Sequence, residues 1–141
     1  MLLGPISIAF MMLVATGRAA FADDLPVRKS GHWQITTIAA ALGMTTIDAC
    51  IDTNDSIAAV GEGRSCSRPE GKRTDDQVIV NITCTSALGE ERISTLFTGD
   101  FLTWYRGIVK MTFDPPSNGM ANMGVTIDAK YIGPDCTNGA P

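Results

Sequence analysis

Apolar residues recur at every second position along much of the chain after Asp23. Val78, Val80, Ile82 and Cys84 form one such series, and Met123, Val125, Ile127, Ala129 and Tyr131 another, with Asn, Thr, Asp or Lys between several of them. Side chains of an extended strand point alternately to its two faces, so both series predict half-buried strands. Residues 101–113 are different: Phe101, Tyr105, Val109 and Met111 share one parity, while Leu102, Trp104 and Ile108 put apolar groups on the other. That pattern predicts a central strand covered on both sides. Further strands are expected at 33–38, 45–51 and 92–98, with turn signals at Gly43, Leu88-Gly89-Glu90, Gly99-Asp100 and Pro115-Pro116-Ser117-Asn118-Gly119. A helical turn or two is expected at 55–60, where Thr53 or Asn54 can cap, Ala58-Ala59 favour helix, and Gly61 and Gly63 end it. The predicted fold is mainly β: six or seven strands in an antiparallel meander, forming a curved sheet or partial barrel with one short helix.

The beginning of the chain follows another pattern. Residues 2–15 are apolar, Arg18 follows, and Ala20-Phe21-Ala22 is the small-x-small sequence that a signal peptidase accepts. Cleavage after Ala22 is expected, leaving residues 23–141 as a single β-rich domain in the periplasm or outside the cell. The apolar run is shorter than the roughly 20 residues that cross a bilayer, and no later segment approaches that length, so no integral membrane segment is expected after cleavage. The 141 residues amount to one core. With 45% hydrophobic and 18% charged residues the chain has the apolar content to fold. Loss of Arg18 leaves ten basic against fifteen acidic side chains, a net charge of −5. Phosphate recognition needs clustered Lys and Arg, which this chain lacks, so nucleic acid is excluded as a partner and an anionic membrane surface is disfavoured.

The four cysteines, Cys50, Cys66, Cys84 and Cys136, all lie after the predicted cleavage point. An even number in an exported chain reads as two disulfides, and the spacings contain none of the close pairs that zinc sites use. Three connectivities are open in principle. The turn-forming Thr74-Asp75-Asp76 lies midway between Cys66 and Cys84, and a hairpin folded there would set those two side by side, leaving Cys50 to pair with Cys136.

Several short motifs, taken in order, resemble one family. They are Lys29-Ser30-Gly31-His32-Trp33-Gln34-Ile35, Cys50-Ile51-Asp52 before a short helix, Cys66, Cys84 ending a strand, Gly99-Asp100, and Gly133-Pro134-Asp135-Cys136 near the terminus. The order resembles the domain of unknown function 3617 family of exported bacterial proteins, over nearly the whole mature chain. The resemblance implies export and a cysteine-bridged β domain. It implies no activity, and no catalytic residues carry over.

The candidate chemistry is sparse. His32 is the single histidine, so any Ser-His-Asp or Cys-His arrangement must use it; a histidine at a strand edge before a core tryptophan is the simpler account. Oxidised cysteines supply no thiolate, and there is no C-x-x-C. Asp48, Asp52 and Asp55 lack the alternating oxygens and glycine turn of a calcium loop, and suit a solvated rim or helix cap. Met44, Met111, Met120 and Met123 could suit Cu(I), but no histidine neighbours them and core packing explains them better. No catalytic constellation, no metal site and no cofactor are expected. What remains is surplus apolar surface. The sequence supports a small binding module, whose concave side, lined by Trp33, Trp104, Tyr105 and Met111, accepts an apolar or envelope-derived molecule. The alternative is a structural or interaction protein that pairs with another envelope protein through a strand edge or an apolar patch and binds no ligand.

Overall fold

A computed structural model describes residues 25–52, 57 and 64–137. Within them the chain forms eight strands: β1 (Gly31–Ala39), β2 (Gly43–Ile51), β3 (Ser65–Cys66), β4 (Glu70–Thr74), β5 (Gln77–Ser86), β6 (Gly89–Gly99), β7 (Trp104–Ser117) and β8 (Met120–Gly133). All pairings are antiparallel, in one sheet of order β2-β1-β8-β7-β6-β5-β3, with β4 also on β5. Strands β5 to β8 are the expected meander, and the β1–β2 hairpin docks onto β8. The predicted signal segment and its cleavage point lie outside the described residues. So does the helix expected at 55–60, of which only Ile57, in a turn, is described.

Turn chemistry sets the register. Asn118 and Gly119 both have positive φ, 49° and 79°, the backbone of a two-residue hairpin whose twist matches its strands. Pro115 and Pro116 precede it where the β7–β8 ladder is interrupted between Thr112 and Ser117, as suits residues with no N–H to donate. Asp75, at φ 52°, turns β4 into β5. The β4 strand has no apolar periodicity, being Glu-Gly-Lys-Arg-Thr, and it pairs on only one side, so its assignment comes from the hairpin and not from burial.

One face of the sheet carries the core. Trp33, Ile51, Val78, Val80, Ile82, Cys84, Phe97, Phe101, Tyr105 and Ala129 form a single cluster of buried side chains. Ile51 lies on the β2 edge strand, while Val78 to Cys84 lie on β5 near the opposite edge. Residues so far apart in the sheet can share one core only if the sheet curls, with this face concave. It stops short of closing: β2 pairs with β1 alone. The rings interlock, Trp33 against Tyr105 and Tyr131, both at 5.4 Å between centroids, and Phe101 stacked on Tyr105 at 5.5 Å. Residues before β1 close this end of the core, as the Lys29 N–H donates to the Phe101 carbonyl (2.9 Å) and the Trp33 indole N–H to the Lys29 carbonyl (2.8 Å).

Both predicted disulfides form. Cys66 and Cys84 are direct cross-strand partners of β3 and β5, and Cys50 at the end of β2 joins Cys136 beyond β8. The short bridge pins a two-residue strand that has little else to hold it; the long one ties the β2 edge to the C-terminal end.

The expectation that β7 is covered on both sides is not met. β7 is central in the strand order, with Tyr105 and Val109 buried, yet Trp104 and Ile108 on its other face are 49% and 52% exposed. A curled single sheet buries its concave side only, and no described element packs on the convex one.

Candidate functional site

Strand register resolves the concave face into rows. One runs Val78, Phe97, Gly107, Ile127, Thr37; the next Val80, Thr95, Val109, Val125, Ala39; a third Ile82, Ile93, Met111, Met123. Burial declines along the first and third, while the second dips at Val125 and returns to a buried Ala39. Val78, Phe97, Val80 and Val109 on β5, β6 and β7 are buried, whereas Ile127, Val125, Met111 and Met123 are only half-buried, and Ile47 on β2 is 54% exposed. Gly107 matters to this gradient. A Cβ there would stand 3.2 Å from the Phe97 ring, so glycine lets Phe97 fold down over β7 and fill the curve at that end. Past it the concave face continues as an apolar trough of Ile35, Ile47, Met111, Met123, Val125 and Ile127.

The four residues expected to face a ligand do not share one surface. Trp33 and Tyr105 are 0% and 3% exposed and belong to the packed core, and Met111 lies in the half-buried trough. Trp104 is on the convex side, because it is one residue out of parity with Tyr105; a concave site lined by all four is therefore corrected. The trough residues on β1, β2 and β8 were missed. Their period-two spacing was legible, but alternation cannot say which side of a sheet curls inward or where packing gives out.

The convex face is polar around Trp104. Across the sheet from it lie Lys130 and then Gln34, and the adjoining row places Arg106 opposite Asp128. That pair is bidentate, with Arg106 Nε at 2.6 Å and Nη2 at 3.2 Å from the carboxylate oxygens, and the hydrogen bond to Asp128 raises the guanidinium's pKa. Before β7, Asp100 accepts from the Thr103 hydroxyl and from the backbone N–H groups of Leu102, Thr103 and Trp104. The Thr103 hydroxyl is the largest of the influences that hold this carboxyl well below the usual carboxylate range. Gly99 at φ 128° completes the turn: a Cβ would lie 2.6 Å from the Trp104 carbonyl.

One convex row is apolar instead. Ile79, Leu96, Ile108, Thr126, Ile38 and Met44 lie in register across six strands. Ile79, Ile108, Ile38 and Met44 are between 40% and 72% exposed.

His32 lies on the convex face with Nε2 3.0 Å from Asp48 Oδ1, a contact that orients the ring at the strand edge. Asp55, the third member of the aspartate trio, lies outside the described residues. Among the described residues no three His, Cys, Asp or Glu side chains are grouped to hold a metal ion. No helix among them is long and apolar enough to cross a membrane.

The cysteine framework, the Gly99-Asp100 turn that aims Trp104, and the ladder from Gly31 onward span the same stretch as a family model, which matches residues 28–136. The chain belongs to the DUF3617 family, proteins of unknown function. No curated protein and no solved structure shows significant similarity to it. Membership assigns the domain no reaction. Two disulfides and no free cysteine are the marks of a protein that matures in an oxidising, non-cytoplasmic compartment.

Proposed function

We propose that the domain is a non-enzymatic binding module of the periplasm that takes a small apolar or envelope-derived molecule on the concave face of its sheet. The observation that carries this reading is the continuity of the concave face: its core runs on, with only Thr37 and Thr95 interrupting the apolar rows, into the partly exposed trough of Ile35, Ile47, Met111, Met123, Val125 and Ile127. A face of this composition takes up an apolar molecule by removing both surfaces from water, at about 25 cal/mol per Å². Two methionines directly opposite each other, Met111 and Met123, supply an unbranched, polarizable lining that adapts to ligand shape.

Native mass spectrometry of protein recovered from the cell envelope, followed by the same measurement after denaturation, tests this. The expected result is a bound mass that denaturation removes, and saturable uptake of a fluorescent fatty acid that Met111→Glu abolishes while the fold survives. A native mass equal to that of the polypeptide, with no saturable uptake, would overturn it.

The alternative, an interaction protein without a ligand, draws support from the apolar convex row of Ile79, Leu96, Ile108, Ile38 and Met44. It predicts self-association or a partner whose loss follows Ile108→Lys, which sedimentation velocity reads directly.

A further inference from the structure

We infer that Trp104 and the polar side chains beside it form a platform for a neutral pyranose sugar, on the face of the sheet opposite the apolar trough. Two shallow depressions, of about 480 and 550 Å³, meet at Trp104 and share Asp128. The first is bordered by Gln34, Thr36 and Lys130, the second by Thr98, Asp100 and Arg106.

Three observations select the ligand class. The first is composition: a single large aromatic ring, 49% exposed, stands among hydroxyl, amide, guanidinium and carboxylate groups. A wholly apolar partner would strand those groups without water, which is costly. The second is charge. Asp76, Asp100 and Asp128 oppose an anion, while Arg106 and Lys130 oppose a cation, so the favoured ligand is neutral. The third is geometry. A pyranose offers an apolar face of axial C–H groups that lies flat on an indole, and an equatorial rim of hydroxyls that both donate and accept. The Arg106–Asp128 pair presents donors and acceptors side by side to such a rim, with the Gln34 amide on the other flank.

The platform is also preorganised. Asp100 fixes the backbone of Leu102, Thr103 and Trp104 through three N–H groups, and the cross-strand ion pair holds Arg106, so little freedom is lost when a ligand settles. A single stacked ring on an open surface suits a dissociation constant on the order of 1 mM.

The inference does not depend on the concave-face reading, because the chain's two tryptophans report separately. Trp33 is buried in the core on the concave side and Trp104 stands on the convex platform, so their indole N–H resonances in 1H–15N NMR distinguish the two faces. The probes are maltohexaose, cellohexaose and the hexamer of N-acetylglucosamine, with sorbitol as an acyclic control, on protein carrying both disulfides. The expected result is a saturable shift of the Trp104 indole by at least one hexamer, with Trp33 unmoved and sorbitol without effect. Trp104→Ala should weaken binding of that sugar by about tenfold or more, and Asp128→Asn by several-fold. Both positions are exposed enough for the variants to fold, and amide dispersion checks that they do. The proposal is overturned if no hexamer moves Trp104 at up to about 10 mM, if sorbitol moves it equally, or if Trp104→Ala binds as the parent does.

Discussion

The two tryptophans differ by one step of parity class and should differ sharply in what they contribute to stability. Replacing Trp33 by Phe removes the outer ring of a side chain with no solvent exposure, wedged between Tyr105 and Tyr131. The loss of about 50 Å² of buried apolar area, at roughly 25 cal/mol per Å², amounts to about 1.2 kcal/mol. The indole N–H that donates to the Lys29 carbonyl at 2.8 Å disappears as well, which costs about 1 kcal/mol. A cavity of roughly 35 Å³ adds a little under 1 kcal/mol at about 24 cal/mol per Å³. The expected destabilisation is therefore about 3 kcal/mol. Trp104→Phe, on the half-exposed convex side, should stay within about 0.5 kcal/mol of the parent. Urea unfolding of both variants by far-UV circular dichroism, with the disulfides oxidised, measures the difference directly. A cost below about 1 kcal/mol for Trp33→Phe, or equal costs for the two, would refute the assignment of the concave face as the sole core.

Neighbours on β7 should behave oppositely: Val109→Ala should cost about 2 kcal/mol and Ile108→Ala well under half of that, as thermal or urea unfolding will show, because Val109 is 6% exposed and Ile108 52%. Removing Cys50–Cys136, which spans 86 positions, should destabilise more than removing Cys66–Cys84, which spans 18; loop entropy gives about 4.6 against about 3.2 kcal/mol, and equal midpoints in denaturant would contradict it. The depressed pKa of Asp100 sets a pH dependence with a definite sign. Its contribution is whole above the unfolded-state value of about 3.9 and declines as pH falls below that toward the folded value, so the Tm gap between the parent and Asp100→Ala should be constant near neutrality and shrink below about pH 4.

Much of this molecule is decided by local pattern. Alternation at 78–84 and 123–131 placed those side chains on common faces, and the structure keeps them so, because a period of two leaves a strand no other way to bury its apolar set. The turn at Asp75-Asp76 brought Cys66 near Cys84, but the β4–β5 register alone would set Cys66 opposite Thr85, and a one-residue shift between β3 and β4 makes the two cysteines meet. The tertiary structure decided what alternation leaves open. β7 is apolar on both parities, and only the curl of the sheet, seen when Ile51 on β2 joins Val78 on β5 in one core, determines that Tyr105 is inside and Trp104 outside. The charged β4 and the two-residue β3 carry no apolar signal and exist through pairing and a disulfide. The trough and the Trp104 platform likewise arise from the lateral stacking of strands distant in sequence. Rows such as Met123 beside Met111, or Gln34 beyond Lys130 from Trp104, are products of register between strands, which no single segment encodes.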